Sequence, residues 1–478
     1  MIFDEKLVKA VTKGVLSVTN EDGWFGFERL LPGQAAEFTR KGYGSQVPCA
    51  AGVSLCFRTD ARTLSFSYRV SGAVSRMFFY FDLLVDGKKV DSFGKEVGDD
   101  EGHCSFSLPA GEKEVEVYLP CLQKVELKDI SADGKITPAP RLPKLLFLGD
   151  SITQGYDSHT PFGCYTAIVS HTLGYEQLNQ GISGAGFYPG TLEEIPGYKP
   201  ECIVVSFGTN DWKHGTQNFP DVVRTYFQKL HAIFGDTPVF AIIPIWRKDC
   251  EPPTCVGTFE DAKNIIRSVC ASYPNITIVE GDAFFPRDTT LFRDARLHPN
   301  EEGFVYYADG LMRAMQGKPL VPIVRILGEN RVKPYTRTRE ASRGIVLQDG
   351  KLLISRDIAM DMVMTPGGGK EHDETNEQCC AREIAEETGT LVSVGAELLI
   401  VEEFYEDVRY VTRYFRCSPC GVTEKHLTAL EQERGLVSEW VSPEQFLQTV
   451  SRHADFAAVF EEKRGLYLRE YTAASRIL

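Results

Sequence analysis

Through the first quarter of the chain, apolar and polar residues alternate with a period of two: Leu64, Phe66, Tyr68 and Val70 in one stretch, Val115, Val117 and Leu119 in another. That period places apolar side chains on one face of a strand and polar ones on the other. Asp86-Gly87 between two apolar runs is a two-residue hairpin signal, and no helix of three turns is evident after the first dozen residues. Residues 1–137 are therefore expected to form an all-β sandwich of jelly-roll type. Its aromatics, Trp24, Phe25, Phe27, Phe78, Phe79 and Tyr80, could line a sugar-binding face, although such residues are more often core.

The pattern changes after Pro138, Pro140 and Pro143, which read as a stiff linker. Continuous apolar runs at Leu145 to Leu148, Ile203 to Phe207, Val239 to Ile243 and Ile276 to Val279 suit strands buried on both faces. Between them, Asp221 to Phe234 sets Val222, Val223, Tyr226, Leu230 and Ile233 on one helical face. Residues 142–318 thus predict a three-layer α/β/α domain with a parallel sheet, whose ligands sit beyond the carboxyl ends of the strands. The first strand breaks at Gly149, and Ser151 follows at a strand–turn–helix corner, where a hydroxyl can stand clear and free N–H groups can hold an oxyanion. An Asp-Ser pair there is also an ordinary helix cap, so the remaining partners decide. The glycines of Gly181-Ile182-Ser183-Gly184 allow backbone N–H groups to approach a ligand, Asn210 follows the next buried strand, and Asp294 and His298 offer a base and a group to hold its tautomer.

Residues 317–340 carry three prolines and a basic run without periodicity, which places a boundary near 330. Strand-like runs then resume around a hairpin at Asp349-Gly350. Thr375 followed by Gln378 is a capping box and Gly389 a terminator, predicting a helix over 376–388. Glu383, Glu386 and Glu387 fall on one face of it at i, i+3 and i+4, where they repel unless a hard cation such as magnesium neutralises them. The alternative is a solvated acidic face.

A length of 478 residues agrees with three domains at roughly 150 residues each. The net charge of −14 disfavours a nucleic-acid binder, and with no apolar run near membrane-spanning length no membrane partner is expected. Small-molecule substrates are the expected partners, and the oligomeric state is left open. The N-terminus scatters charges where a signal peptide carries its apolar core, so a cytoplasmic location is expected. Thirteen cysteines, an odd number at irregular spacing, read as reduced, and the lone pair Cys417 and Cys420 lacks a second pair at zinc spacing despite the nearby His426.

In order, Gly149-Asp150-Ser151, Gly181 to Gly184, Gly208 to Asp211 and Asp294 with His298-Pro299-Asn300 resemble the SGNH (GDSL-type) hydrolases over roughly 180 residues. The resemblance implies a Ser151 nucleophile, an oxyanion hole from Ser151 N–H, Gly184 N–H and Asn210, His298 as base with Asp294 as its orienter, and hydrolysis of esters or acetyl esters without a cofactor. Three residues separate Asp294 from His298 where that family usually has two, and a backbone carbonyl or another carboxylate is the alternative orienter. A β-sandwich ahead of such a domain looks like the arrangement in some carbohydrate acetylesterases. Gly368, Glu374, Arg382, Glu383, Ile384, Glu386, Glu387 and Gly389 resemble the 23-residue box of the Nudix hydrolases, with Thr390 where an aliphatic residue is usual. Trp440 to Pro443 looks like the late strand-to-helix turn of the same family. That resemblance covers 330–478 and implies an α+β, α-β-α Nudix fold, Mg²⁺ (or Mn²⁺) on Glu383, Glu386 and Glu387, Arg382 orienting a carboxylate, and hydrolysis of a nucleoside diphosphate linked to another group. The expected protein is a bifunctional hydrolase. A sensor whose third domain binds a nucleotide-like ligand without turnover, or a chain in which one hydrolase domain is inactive, are the alternatives.

Overall fold

Leu64, Phe66, Tyr68 and Val70 all face inward from the strand Thr63–Ser71, and Val115 and Val117 do so from Lys113–Tyr118. The computed structural model describes residues 1–72, 76–216, 218–371, 373–456 and 461–478. Among these, two antiparallel sheets form the expected sandwich, one built around Ser54–Thr59 and Lys113–Tyr118, the other around Lys124–Ala132 and Thr63–Ser71. The hairpin Phe79–Val85 to Lys88–Lys95 turns at Asp86 and Gly87, whose φ values of 47° and 77° match the twist of the flanking strands. Phe25, Phe27, Phe78 and Phe79 are buried, while Trp24 lies under the Arg69 guanidinium at 3.9 Å.

Beyond the sandwich, the sheet is parallel, in the order Glu176–Asn179, Lys144–Gly149, Cys202–Ser206, Val239–Ile243, Ile276–Glu280. Strand order reverses beside Lys144–Gly149, which creates a crevice at the carboxyl ends of that strand and its two neighbours. The amphipathic helix spans Phe219–Phe234. Sandwich and α/β layers form one unit, Met1–Leu320. Leu30 and Phe38, on and beside the unanticipated helix Pro32–Arg40, share an apolar cluster with Leu146, Leu178 and Ile203. Arg29, fully buried, donates to the carbonyls of Cys49, Gln46, Asn179 and Gly181 at 2.6 to 3.0 Å. Burial depresses its pKa to about 10, and these four acceptors offset the cost of burying the charge. Ile136–Pro138 is a strand on Ser54–Thr59, so the first of the linker prolines lies inside the sandwich.

The second unit is Val321–Leu478. Its mixed sheet includes Arg337–Gln348, Thr390–Tyr405 and Val408–Val422. The strand Ile323–Leu327, ahead of the boundary expected near 330, already pairs in parallel with residues 400–404. Asp349 and Gly350 turn the expected hairpin with φ of 51° and 73°. Two apolar clusters occupy opposite faces: Val346, Leu353, Phe415 and Cys417 meet Cys380 and Ile384 of the helix Asn376–Thr388, whereas Ile345, Leu352, Ile354 and Tyr414 meet Phe446, Tyr467 and Ala473 of the last helices. This is an α-β-α arrangement. Among the described residues every cysteine is free; Cys417 lies 3.7 Å from Cys380, sulfur to sulfur, and Cys420 is exposed.

Candidate active sites

Ser151 begins a four-residue helix capped by the Asp150 carboxylate, which accepts from Ile152 N–H, and the helix stops at Gly155 in the left-handed region. Its Oγ lies 3.0 Å from His298 Nε2. The opposite ring nitrogen, Nδ1, is 2.8 Å from Asp294 Oδ2, so that nitrogen carries the proton and Nε2 presents a lone pair to the serine hydroxyl. The additional residue between Asp294 and His298 is absorbed at Ala295, whose φ of 54° curls the segment back. Asp294 Oδ1 then accepts from the amides of Arg296, Leu297 and His298. Burial pushes the Asp294 carboxyl up, but His298 and the Leu297 amide outweigh it and hold the group well below the usual carboxylate range.

Gly184 follows the strand Glu176–Asn179 and has φ of 86°; a Cβ there would meet the Tyr43 ring at 3.1 Å. Among the described residues the amides of Ser151 and Gly184 donate to no protein acceptor, which leaves both available to an anion. Asn210 Nδ2 donates one proton to Ala185 O at 2.9 Å and retains a second. An attacking hydroxyl and a base with its tautomer held thus meet beside the sheet's reversal point, and the loops that carry the Gly184 and Asn210 donors follow the two strands flanking Lys144–Gly149. Three neighbours were not singled out in the sequence. Tyr43 donates its hydroxyl to Gly184 O at 2.9 Å, Tyr156 packs on the His298 ring with centroids 4.6 Å apart, and buried Asp157 lies 3.8 Å from His298 Nδ1. Asp157 stands in the same short stretch as Ser151, which is the signal that could have found it.

In the second unit, Thr375 and Gln378 form the reciprocal cap and Gly389 the left-handed end of the helix Asn376–Thr388. Arg382 fans across the acidic face: Nε and Nη2 donate to Glu374 at 3.0 and 2.8 Å, and Nη1 to Glu383 at 2.9 Å and Glu386 at 3.1 Å. Arg382 draws the Glu374 carboxyl down to about 2. Glu387 is buried, accepts from Ser355 Oγ at 2.6 Å and Gly367 N–H, and burial pushes its pKa up to about 7. Gly368 abuts Glu383; a Cβ there would fall 2.3 Å from a carboxylate oxygen. Glu383, Glu386 and Glu387 line a cleft of about 550 Å³ whose other walls include Arg339, Arg343, Tyr410 and Arg434, all outside the sequence box. The three carboxylates are hard oxygen donors of the type a hard divalent cation takes, and burial opposes the charge of Glu383 and Glu387, although among the described residues the group with three ligand atoms within 4.8 Å of one another is Asp157, Asp294 and His298. Leu436–Val441, Ser442 as cap and Pro443–Val450 form the late strand-to-helix corner.

Residues 147–304 match the model of the GDSL-like Lipase/Acylhydrolase family, and residues 338–460 match that of the NUDIX domain. The chain therefore carries two domains of hydrolase families. Over 101 residues it is 35% identical to a MutT-like protein of Streptomyces ambofaciens, a match covering 21% of this chain and 61% of that relative's length. Among solved structures, the salicylyl-acyltransferase SsfX3 from a tetracycline biosynthetic pathway is similar, with a TM-score of 0.58 at 22% identity, covering 64% of this chain and 94% of that one. A protein described as a GDSL-like lipase from Bacteroides ovatus ATCC 8483 gives a TM-score of 0.51 at 19% identity over the same shares. These two likenesses are of fold.

Proposed function

We propose that the protein is a bifunctional hydrolase: a serine esterase acting on small acyl or acetyl esters, those of carbohydrates included, and a Mg²⁺-dependent hydrolase of a nucleoside diphosphate linked to another group. The observation that carries the first activity is the relay from Ser151 Oγ to His298 Nε2 at 3.0 Å and from His298 Nδ1 to Asp294 at 2.8 Å. Ser151 attacks the ester carbonyl as His298 takes its proton, the Ser151 and Gly184 amides with Asn210 hold the oxyanion, and His298 returns the proton to the departing alkoxide. Water then discharges the acyl-serine by the same relay.

For the second activity, support comes from Glu383, Glu386 and Glu387 lining a cleft that Arg339, Arg343 and Arg434 also line. A bound magnesium ion supplies charge neutralisation on the phosphoryl oxygens and a more acidic water. Arg382 holds Glu374, Glu383 and Glu386 in register, and Ser355 orients Glu387. A cytoplasmic setting is part of this reading; among the described residues no helix is long and apolar enough to cross a membrane. Incubating the whole protein with acetylated sugars, short-chain aryl esters and nucleoside diphosphate conjugates, with and without Mg²⁺, tests the reading. Metal-independent acyl release and metal-dependent phosphate-bond cleavage are expected. No turnover of any conjugate in Mg²⁺ would put the ligand-sensing alternative first.

A further inference from the structure

His298 faces two carboxylates. Asp294 bonds Nδ1 at 2.8 Å, and Asp157 Oδ2 stands 3.8 Å from the same atom with no exposure to solvent. Asp157 also has φ of 73°, a backbone conformation that carries a cost for a residue other than glycine and recurs where structure serves a site. Two unscreened anions on one imidazole would favour its protonated form, which cannot act as a base. The chain answers this from the sandwich. Arg76 sends Nη2 to Asp157 Oδ2 at 2.9 Å and Nε to Asp157 Oδ1, a bidentate pair that matches the carboxylate in plane and charge. The same guanidinium lies 4.6 Å over the ring of Tyr156, which also packs on the His298 ring.

We propose that Arg76 is a positioning residue of the esterase, neutralising Asp157 and fixing Tyr156 so that His298 faces one net negative charge and stays a competent base. The sandwich then completes the catalytic electrostatics of the neighbouring layer. This rests on the assignment of Ser151 and His298 as the esterase site. Among the described residues, the other polar and charged groups that bond the ring or its carboxylate are Ser151 and Arg296, the latter 3.7 Å from Asp294 and 3.5 Å from Asp249. None of them neutralises Asp157.

The test is the pH profile of kcat/KM for a short-chain aryl ester with the full chain, whose acid limb reports the base in the free enzyme. Arg76→Gln leaves Asp157 uncompensated, so the acid limb should move to higher pH by about one to three units. Asp157→Asn removes one anion beside the ring while the Arg76 cation stays, and should move the limb to lower pH. Arg76→Lys keeps the charge and should restore the limb toward that of the parent, and Arg76→Gln/Asp157→Asn should bring it back as well. A purely structural arginine would lower the rate equally at every pH. An unmoved limb in both single variants, or a uniform loss that the double variant does not change, overturns the proposal. Should Arg76→Gln fail to fold, the downward shift in Asp157→Asn decides it alone. Ser151→Ala, run beside them, separates the two claims: if it retains ester hydrolysis the underlying site is misassigned, whereas an inactive Ser151→Ala with unmoved limbs rejects Arg76 only.

Discussion

Asp294 divides its oxygens between three backbone amides and one imidazole nitrogen, so it both shapes the turn and selects the tautomer of His298. Asp294→Asn keeps an acceptor for the amides but places an N–H against Nδ1, favouring the tautomer that cannot take the serine proton. Ester turnover should fall by about a thousandfold or more, with an unchanged circular dichroism spectrum. A near-parental rate would transfer the role to Asp157. The pH consequence has a definite sign. A carboxyl held below its ordinary value stabilises the fold above its unfolded pKa of about 3.9, and that contribution is lost as pH falls toward the folded value. Urea melts should therefore show the parent losing more stability than Asp294→Asn between pH 5 and pH 3. Serine, histidine and aspartate were legible because each follows a recognisable strand or precedes a helix. Ala295 was not, since alanine gives no sign of a positive φ. Nor was Arg76, whose partner lies 81 residues further along the chain.

At the scale of elements, the helix Asn376–Thr388 was readable to its ends, because Thr375, Gln378 and Gly389 each satisfy backbone groups that a helix terminus leaves free. The strand Ile323–Leu327 was not readable as such. It sits among prolines, and its pairing partner is supplied by residues 400–404. Within the helix, Glu386 is the cleanest probe of the metal reading. Its side chain is 38% exposed and among the described residues bonds only Arg382, whereas Glu387 anchors Ser355 and Gly367. Millimolar Mg²⁺ should raise the melting temperature of the second unit within the full chain, as any ligand that binds only the folded state does. Glu386→Gln should reduce that rise and suppress phosphate-bond cleavage together. A tenfold weaker site forfeits about 1.4 kcal/mol of saturating stabilisation. If the parent's melt ignores Mg²⁺ even with a diphosphate ligand present, the acidic face is a solvated surface.

For the whole molecule, length suggests three domains and packing gives two units, because residue counts say nothing of interfaces. Arg29 shows why: its carbonyl partners at Asn179 and Gly181 are 150 and 152 residues away, and no local pattern announces them. The two hydrolase domains, by contrast, fall in different units, each with apolar clusters drawn from its own residues. Coupling between two sites requires an element with two arrangements whose balance both sites bias, and neither set of reacting groups includes residues of the other unit. Ser151→Ala should therefore abolish acyl release by several orders of magnitude and leave Mg²⁺-dependent phosphate-bond cleavage within about twofold of the parent. Glu386→Gln should do the reverse, and the double variant should lose both. Acyl and phosphate products assayed in parallel from each full-length variant provide the measurement. A Ser151→Ala chain with diminished phosphate-bond cleavage would mean that the two reactions are linked, with the acyl-serine state of the first unit altering turnover in the second.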